Sequence, residues 1–182
     1  FSFYPGKNLG AYGDAGIVTT NNKKHYDIMS KIRNLGSNKK FIHDYVGINS
    51  RLDTIQASIL IEKLKMLNLI NKKRRNIAKF YSKNINNDKI NKLIYSKSCV
   101  YHQYVILTKN RNKLTKILSK NSIPYGFHYP YSINKLHSLR KIFKGQTYLN
   151  AERIGNEGIS LPIDPNLNIS DLKKITRVIN SF

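Results

Sequence analysis

An apolar stripe of helical spacing leaves this chain little choice of architecture. It runs from Leu52 through Ile55, Ile59, Leu60, Leu64 and Leu67. Residues three and four apart share one face of a helix, so the stripe predicts a helix. Ser50-Arg-Leu-Asp53 ahead of it has the spacing of a capping box, which sets the start near residue 52. The polar run Asn71-Lys-Lys-Arg-Arg75 does not break the pattern, because Ile77, Phe80 and Tyr81 keep the helical spacing to about residue 83. Globular helices average about three or four turns, so one this long is suited to joining two subdomains. The chain thus divides into residues 1–51, the helix 52–83, and residues 84–182.

Both flanks mix helices and strands. Before the long helix, Ile17–Thr20 reads as a short strand. Asn21 or Asn22 then caps a helix with Ile28, Met29, Ile32 and Leu35 on one face and Gly36 as its stop, and a loop fills 37–48. After it, the polar, turn-prone 84–92 gives way to short alternating elements: a strand at 100–107, a helix at 112–120 and a strand at 125–129. Helices at 134–143 and 148–155 and an extended piece at 160–163 follow, then a last helix capped by Ser170. Strands alternating with helices define an α/β layer structure.

The net charge of +22 raises the possibility of a nucleic-acid partner. Its distribution argues against one. The lysines are spread over every segment and accompany an excess of Asn and Ile, as codons rich in A and T would produce. No zinc spacing, RNP-like aromatic strand or arginine-rich arm is present. No window approaches the roughly 18 apolar residues of a membrane-spanning helix, and nothing resembles a signal peptide. The single cysteine, Cys99, excludes an internal disulfide and agrees with a reducing cytoplasm; its strand-like context predicts a buried, inert thiol. His25, His43, His102 and His137 have no metal-pair spacing, and no serine lies in a nucleophile elbow.

Residues 1–20 stand apart. Four glycines between positions 6 and 16, interleaved with aromatics, require tight turns or a close approach of the backbone to something. Lys7 lies inside this charge-poor stretch. Aromatic shielding eases the loss of a lysine's proton, which a Schiff-base nucleophile needs, although composition alone equally allows a loop lysine pointing into water.

Ser2-Phe-Tyr-Pro-Gly-Lys7-Asn-Leu-Gly-Ala-Tyr-Gly-Asp-Ala-Gly16 resembles the cofactor-lysine segment of the DegT/StrS sugar aminotransferases, which are pyridoxal-phosphate (PLP) enzymes of fold type I. Further blocks follow in the family's order: Ile32-Arg-Asn-Leu-Gly-Ser37, Gly47-Ile-Asn-Ser-Arg-Leu-Asp-Thr-Ile-Gln-Ala57, Val100-Tyr-His-Gln-Tyr104, Gly126-Phe-His-Tyr-Pro130 and Ser160-Leu-Pro162. The resemblance covers nearly the whole chain. It implies the carboxy-terminal half of such an enzyme: the tail of the large domain (1–51), a long connecting helix (52–83) and a small α/β domain (84–182).

Residue roles follow from that resemblance. Lys7 matches the lysine that forms a Schiff base with pyridoxal 5'-phosphate and shuttles the proton. Ser2 matches the hydroxyl on the cofactor phosphate; by itself it reads as a strand serine. Asn49 matches the amide that reaches the neighbouring subunit's cofactor phosphate, which implies a homodimer with shared sites; unaided it reads as an Asx turn. Arg51 is placed to fork onto a substrate diphosphate or carboxylate, or else to pair with Asp53. His128 and Tyr129 match the block that lines the sugar pocket, though a lone strand histidine is also a common core residue. Tyr4 and Tyr12 face the site or simply pack.

The function implied is transamination of a nucleotide-linked 3-keto or 4-keto sugar, with glutamate as donor, in amino-sugar or polysaccharide biosynthesis. Lys7 argues against the related sugar dehydratases, where histidine replaces that lysine. Asn134 stands where the family often carries a second sugar-side histidine. The chain starts at Phe1 inside a motif. A fragment is therefore the expectation: the resemblance implies that the half supplying the aromatic on the cofactor ring, the aspartate on its nitrogen and the first phosphate-binding turn is absent, and this fragment is expected to be inactive alone. The competing expectations are a non-catalytic remnant and a basic polyanion-binding module.

Overall fold

The computed structural model describes residues 1–182. It divides into two compact units, Phe1–Asn68 and Leu69–Phe182, with the boundary inside the long helix.

The amino-terminal unit opens with a doubled-back loop. Ser2 bridges Gly16 in antiparallel register, and the Phe3 amide donates to the Ala15 carbonyl at 2.8 Å. Residues 17–20 then run on without strand pairing, so the expected strand is absent. Helix α1 (Lys23–Ile32) starts at Asn22, whose side chain accepts the His25 amide. It stops short of Leu35, because Leu35 and Gly36 both turn left-handed, at φ 62° and 72°. The segment expected as a loop is a small antiparallel hairpin, β1 (Ser37–Lys39) and β2 (Ile42–His43). Helix α2 (Thr54–Asn84) has 31 residues, about 46 Å at roughly 1.5 Å per residue. It starts at Thr54, with the Asp53 carbonyl accepting the Ala57 amide. In this unit only Leu60 of the α2 stripe is buried; Ile55 and Leu64 face outward.

The carboxy-terminal unit holds the core. Strands β3 (Asn91–Lys92), β4 (Tyr104–Leu107) and β5 (Gly158–Leu161) form an antiparallel sheet in the order β3-β4-β5. Helices α3 (Arg111–Lys120), α4 (Leu149–Glu157) and α5 (Ile169–Asn180) complete the unit. The second half of α2 contributes Ile77, Ala78 and Tyr81 to a cluster with Ile106, Leu118 and Ile179. Complete burial of an aliphatic side chain contributes about 1.5–3 kcal/mol, so this cluster dominates the unit's stability. Tyr81 is fully buried and its hydroxyl donates to the Pro162 carbonyl at 2.8 Å. Burial, with Tyr101 beside it, pushes the Tyr104 hydroxyl up to about 12.

Several local expectations fail here. Residues 100–103 are not strand, and Cys99 is exposed rather than buried. Residues 125–129 form no strand beyond one Gly126–Ser160 bridge. Two 3-10 turns, Ile133–Lys135 and His137–Leu139, replace the expected helix at 134–143. Helix α5 is capped not by Ser170 but by Asn168, in a reciprocal capping box with Asp171. No helix is long and apolar enough to cross a membrane.

Candidate cofactor and substrate site

In the amino-terminal unit, Lys7 sits half-buried on the turn closed by its own amide, which donates to the Tyr4 carbonyl at 2.8 Å. Gly10 is what makes this turn possible. A Cβ there would lie 2.3 Å from the Pro5 carbonyl oxygen, so no other residue fits without opening the loop. Two side chains of α2 tie the loop down. Gln56 Oε1 accepts the Tyr12 amide at 2.8 Å, and the Lys63 amine donates to the Gly10 carbonyl and lies over the Tyr12 ring. Neither residue was singled out from sequence. Gln56 stands in the block ending at Ala57, and Lys63 lies seven residues on, two turns along the same helix face. That spacing was the available signal.

Ser2, on the same loop, is exposed, and its Oγ accepts the Tyr4 amide at 3.3 Å. Its hydroxyl hydrogen remains available to an external acceptor. Tyr4 and Tyr12 are both exposed.

Asn49 and Arg51 meet directly, Arg51 Nε donating to Asn49 Oδ1 at 2.8 Å. Both are exposed, and Arg51 makes no ion pair with Asp53. The backbone beneath them is fixed by main-chain bonds to the end of α1: Ile48 amide to Ile32 carbonyl, Leu35 amide to Ile48 carbonyl, and Ser50 amide to Arg33 carbonyl, at 2.8–2.9 Å. Gly47 permits this approach, since a Cβ on it would fall 2.0 Å from the Gly36 nitrogen.

In the carboxy-terminal unit, His128 Nδ1 lies 2.8 Å from Ser160 Oγ. Ser160 also exchanges both main-chain hydrogen bonds with Gly126. His128 is an exposed residue, and its ring meets the exposed Tyr129 ring edge-on at 5.6 Å. The peptide bond joining them is cis. Asn134 is buried, its amide donating to Glu152 at 2.8 Å. Glu152 is held below the usual carboxylate range, chiefly by that amide, then by the Tyr148 N–H and Lys135. No group of three or more His, Cys, Asp or Glu side chains is arranged to hold a metal ion.

The fold recurs in solved sugar aminotransferases. The structure of Streptomyces venezuelae DesV superposes with a TM-score of 0.91 at 30% identity, covering 100% of this chain and 50% of that one. A DegT DnrJ EryC1 StrS aminotransferase from Brucella abortus gives 0.89 at 30% identity, covering 100% and 49%. The fold is therefore that of a type I aminotransferase. Residues 1–180 match the model of the DegT/DnrJ/EryC1/StrS aminotransferase family, and the chain belongs to that family. A relative from Aneurinibacillus thermoaerophilus, dTDP-3-amino-3,6-dideoxy-alpha-D-galactopyranose transaminase, is 36% identical over 100% of this chain and 55% of its own length. The chain spans about half the length of the curated relatives it matches, corresponding to their C-terminal half.

The family depends on pyridoxal phosphate, and the residues present fit it. Lys7 is half-buried on the glycine-closed turn and makes no ion pair, and the Ser2 hydroxyl lies on the same loop.

Proposed function

We propose that this chain forms the cofactor-lysine and sugar-recognition part of a PLP-dependent nucleotide-sugar aminotransferase. The observation that carries the reading is the half-buried Lys7 on a turn that only Gly10 allows, with Ser2 five residues before it.

Bound pyridoxal phosphate supplies an electron sink, so that an amino group can pass from a donor to a keto carbon. The Lys7 amine anchors the cofactor and, once released, moves the proton at the carbon bearing nitrogen. The Ser2 hydroxyl donates to the cofactor phosphate. Asn49, oriented by Arg51, serves the cofactor phosphate of a second subunit, so the enzyme works as a homodimer with shared sites. Arg51 keeps its outer guanidinium nitrogens for the substrate diphosphate. His128, braced by Ser160, and Tyr129 face the sugar.

In this reading residues 1–51 end the large cofactor domain, α2 connects, and residues 84–182 form the small domain. The relatives' names support a keto sugar on a nucleotide, several of them aminated at carbon 3. We assign a 3-keto substrate ahead of a 4-keto one, glutamate as donor, and a cytoplasmic setting, where nucleotide sugars are made.

The test is borohydride reduction of the full-length enzyme with pyridoxal phosphate, followed by peptide mass analysis. Cofactor mass should appear on the peptide holding Lys7 and vanish in Lys7→Ala. Covalent label on another lysine, or label surviving in the variant, defeats the assignment.

A further inference from the structure

Away from the residues given roles above, the carboxy-terminal unit contains a cavity of about 370 Å³ whose charged lining is entirely cationic: Lys135, Arg140 and Lys144, with Asn134, Gln146 and Thr147 beside them. A second cavity of about 330 Å³ shares Lys135 and Arg140 and adds Ser132, Glu152 and Asn156. Neither Arg140 nor Lys144 makes an ion pair. Ser132 is only 9% exposed, and its Oγ has no hydrogen-bond partner.

The one carboxylate in these walls, Glu152, is already engaged by the Asn134 amide at 2.8 Å, the Tyr148 N–H at 3.3 Å and the Lys135 amine at 3.3 Å. Two unpaired cations in the concave wall of the first cavity, with the Gln146 amide and the Thr147 hydroxyl beside them, form a donor set for a multiply charged tetrahedral oxyanion. An apolar ligand would leave every one of these groups unsatisfied.

We infer that the first cavity binds a phosphoryl anion, with Arg140 and Lys144 supplying the charge and Gln146 and Thr147 supplying neutral donors. The anion can be free phosphate or pyrophosphate, or the diphosphate of a nucleotide. The site does not depend on Lys7, so the two assignments stand or fall separately.

Calorimetric titration of the 182-residue chain with inorganic phosphate, inorganic pyrophosphate and uridine diphosphate, at constant ionic strength, tests it. Pyrophosphate should saturate one site. The double variant Arg140→Gln, Lys144→Gln should weaken it about tenfold or more, the loss of charge-assisted hydrogen bonds. Lys173→Gln, Lys174→Gln on α5 removes the same charge elsewhere and should leave binding unchanged. All four side chains belong to exposed residues, and circular dichroism verifies that both variants fold. Uridine diphosphate binding tighter than pyrophosphate identifies a nucleotide as the source; equal or weaker binding identifies the free anion. Equal losses in the two double variants would mean diffuse attraction to a basic surface, and that result, or no saturable binding, overturns the inference.

Discussion

Replacing Gly10 by alanine tests how tightly the Lys7 turn must be held. The added Cβ would sit 2.3 Å from the Pro5 carbonyl oxygen and 2.9 Å from that of Tyr4. Ordinary contact begins near 3.4 Å, so the turn must open by roughly 1 Å. Both obstacles are backbone, and no side-chain rotation relieves them. Overpacking of this kind costs about 1–3 kcal/mol. The functional effect should be larger, because roughly 1 Å of misplacement at a reacting group costs on the order of a hundredfold in rate. Gly6→Ala is the matched control: its Cβ meets only Tyr4 ring carbons at 3.8 Å, and it should stay within about 0.5 kcal/mol. The assays are kcat/KM for amination by the full-length enzyme, and chemical denaturation of each variant. A Gly10→Ala enzyme with wild-type kcat/KM, or a Gly6→Ala enzyme equally impaired, would refute the steric account.

Two further outcomes follow from the small unit. Glu152 has a folded-state value below its ordinary 4.5, so its stabilising effect is present above that pH and is lost as the pH falls through the folded value. The stability difference between wild type and Glu152→Gln, followed by denaturation at several pH values, should therefore shrink in acid; a difference that grows in acid contradicts the network. Asn168→Ala removes the α5 cap and should cost about 1 kcal/mol by the same measurement, more than Ser170→Ala; the reverse order would make Ser170 the cap after all.

The parts legible from sequence are those governed by local periodicity. Helix α2 announces itself because apolar residues recur on one face from Leu52 to Tyr81, although its first turn is decided by Asp53. The segments at 125–129 and 134–143 depart from the expected strand and helix; long-range bonds join Gly126 to Ser160 and Asn134 to Glu152 there, and no repeat encodes such bonds. The strand-like context of Cys99 predicts burial, yet its run never joins the sheet and the thiol is exposed. The same limit applies at the candidate site. Glycine spacing around Lys7 marks a tight turn, and Asn49 and Arg51 are close in sequence, so both were readable. Lys63 reaching Gly10 across 53 residues, and Ser160 reaching His128 across 32, are tertiary facts.

The contact between Gly36 and Gly47 has a bearing on how such a protein can be altered. It is made by main chain alone, so the platform under Asn49 and Arg51 owes nothing to the side chains displayed on it. Randomising those two positions would reshape what the surface recognises while the scaffold stays assembled; a methyl group at either glycine would collapse the display itself.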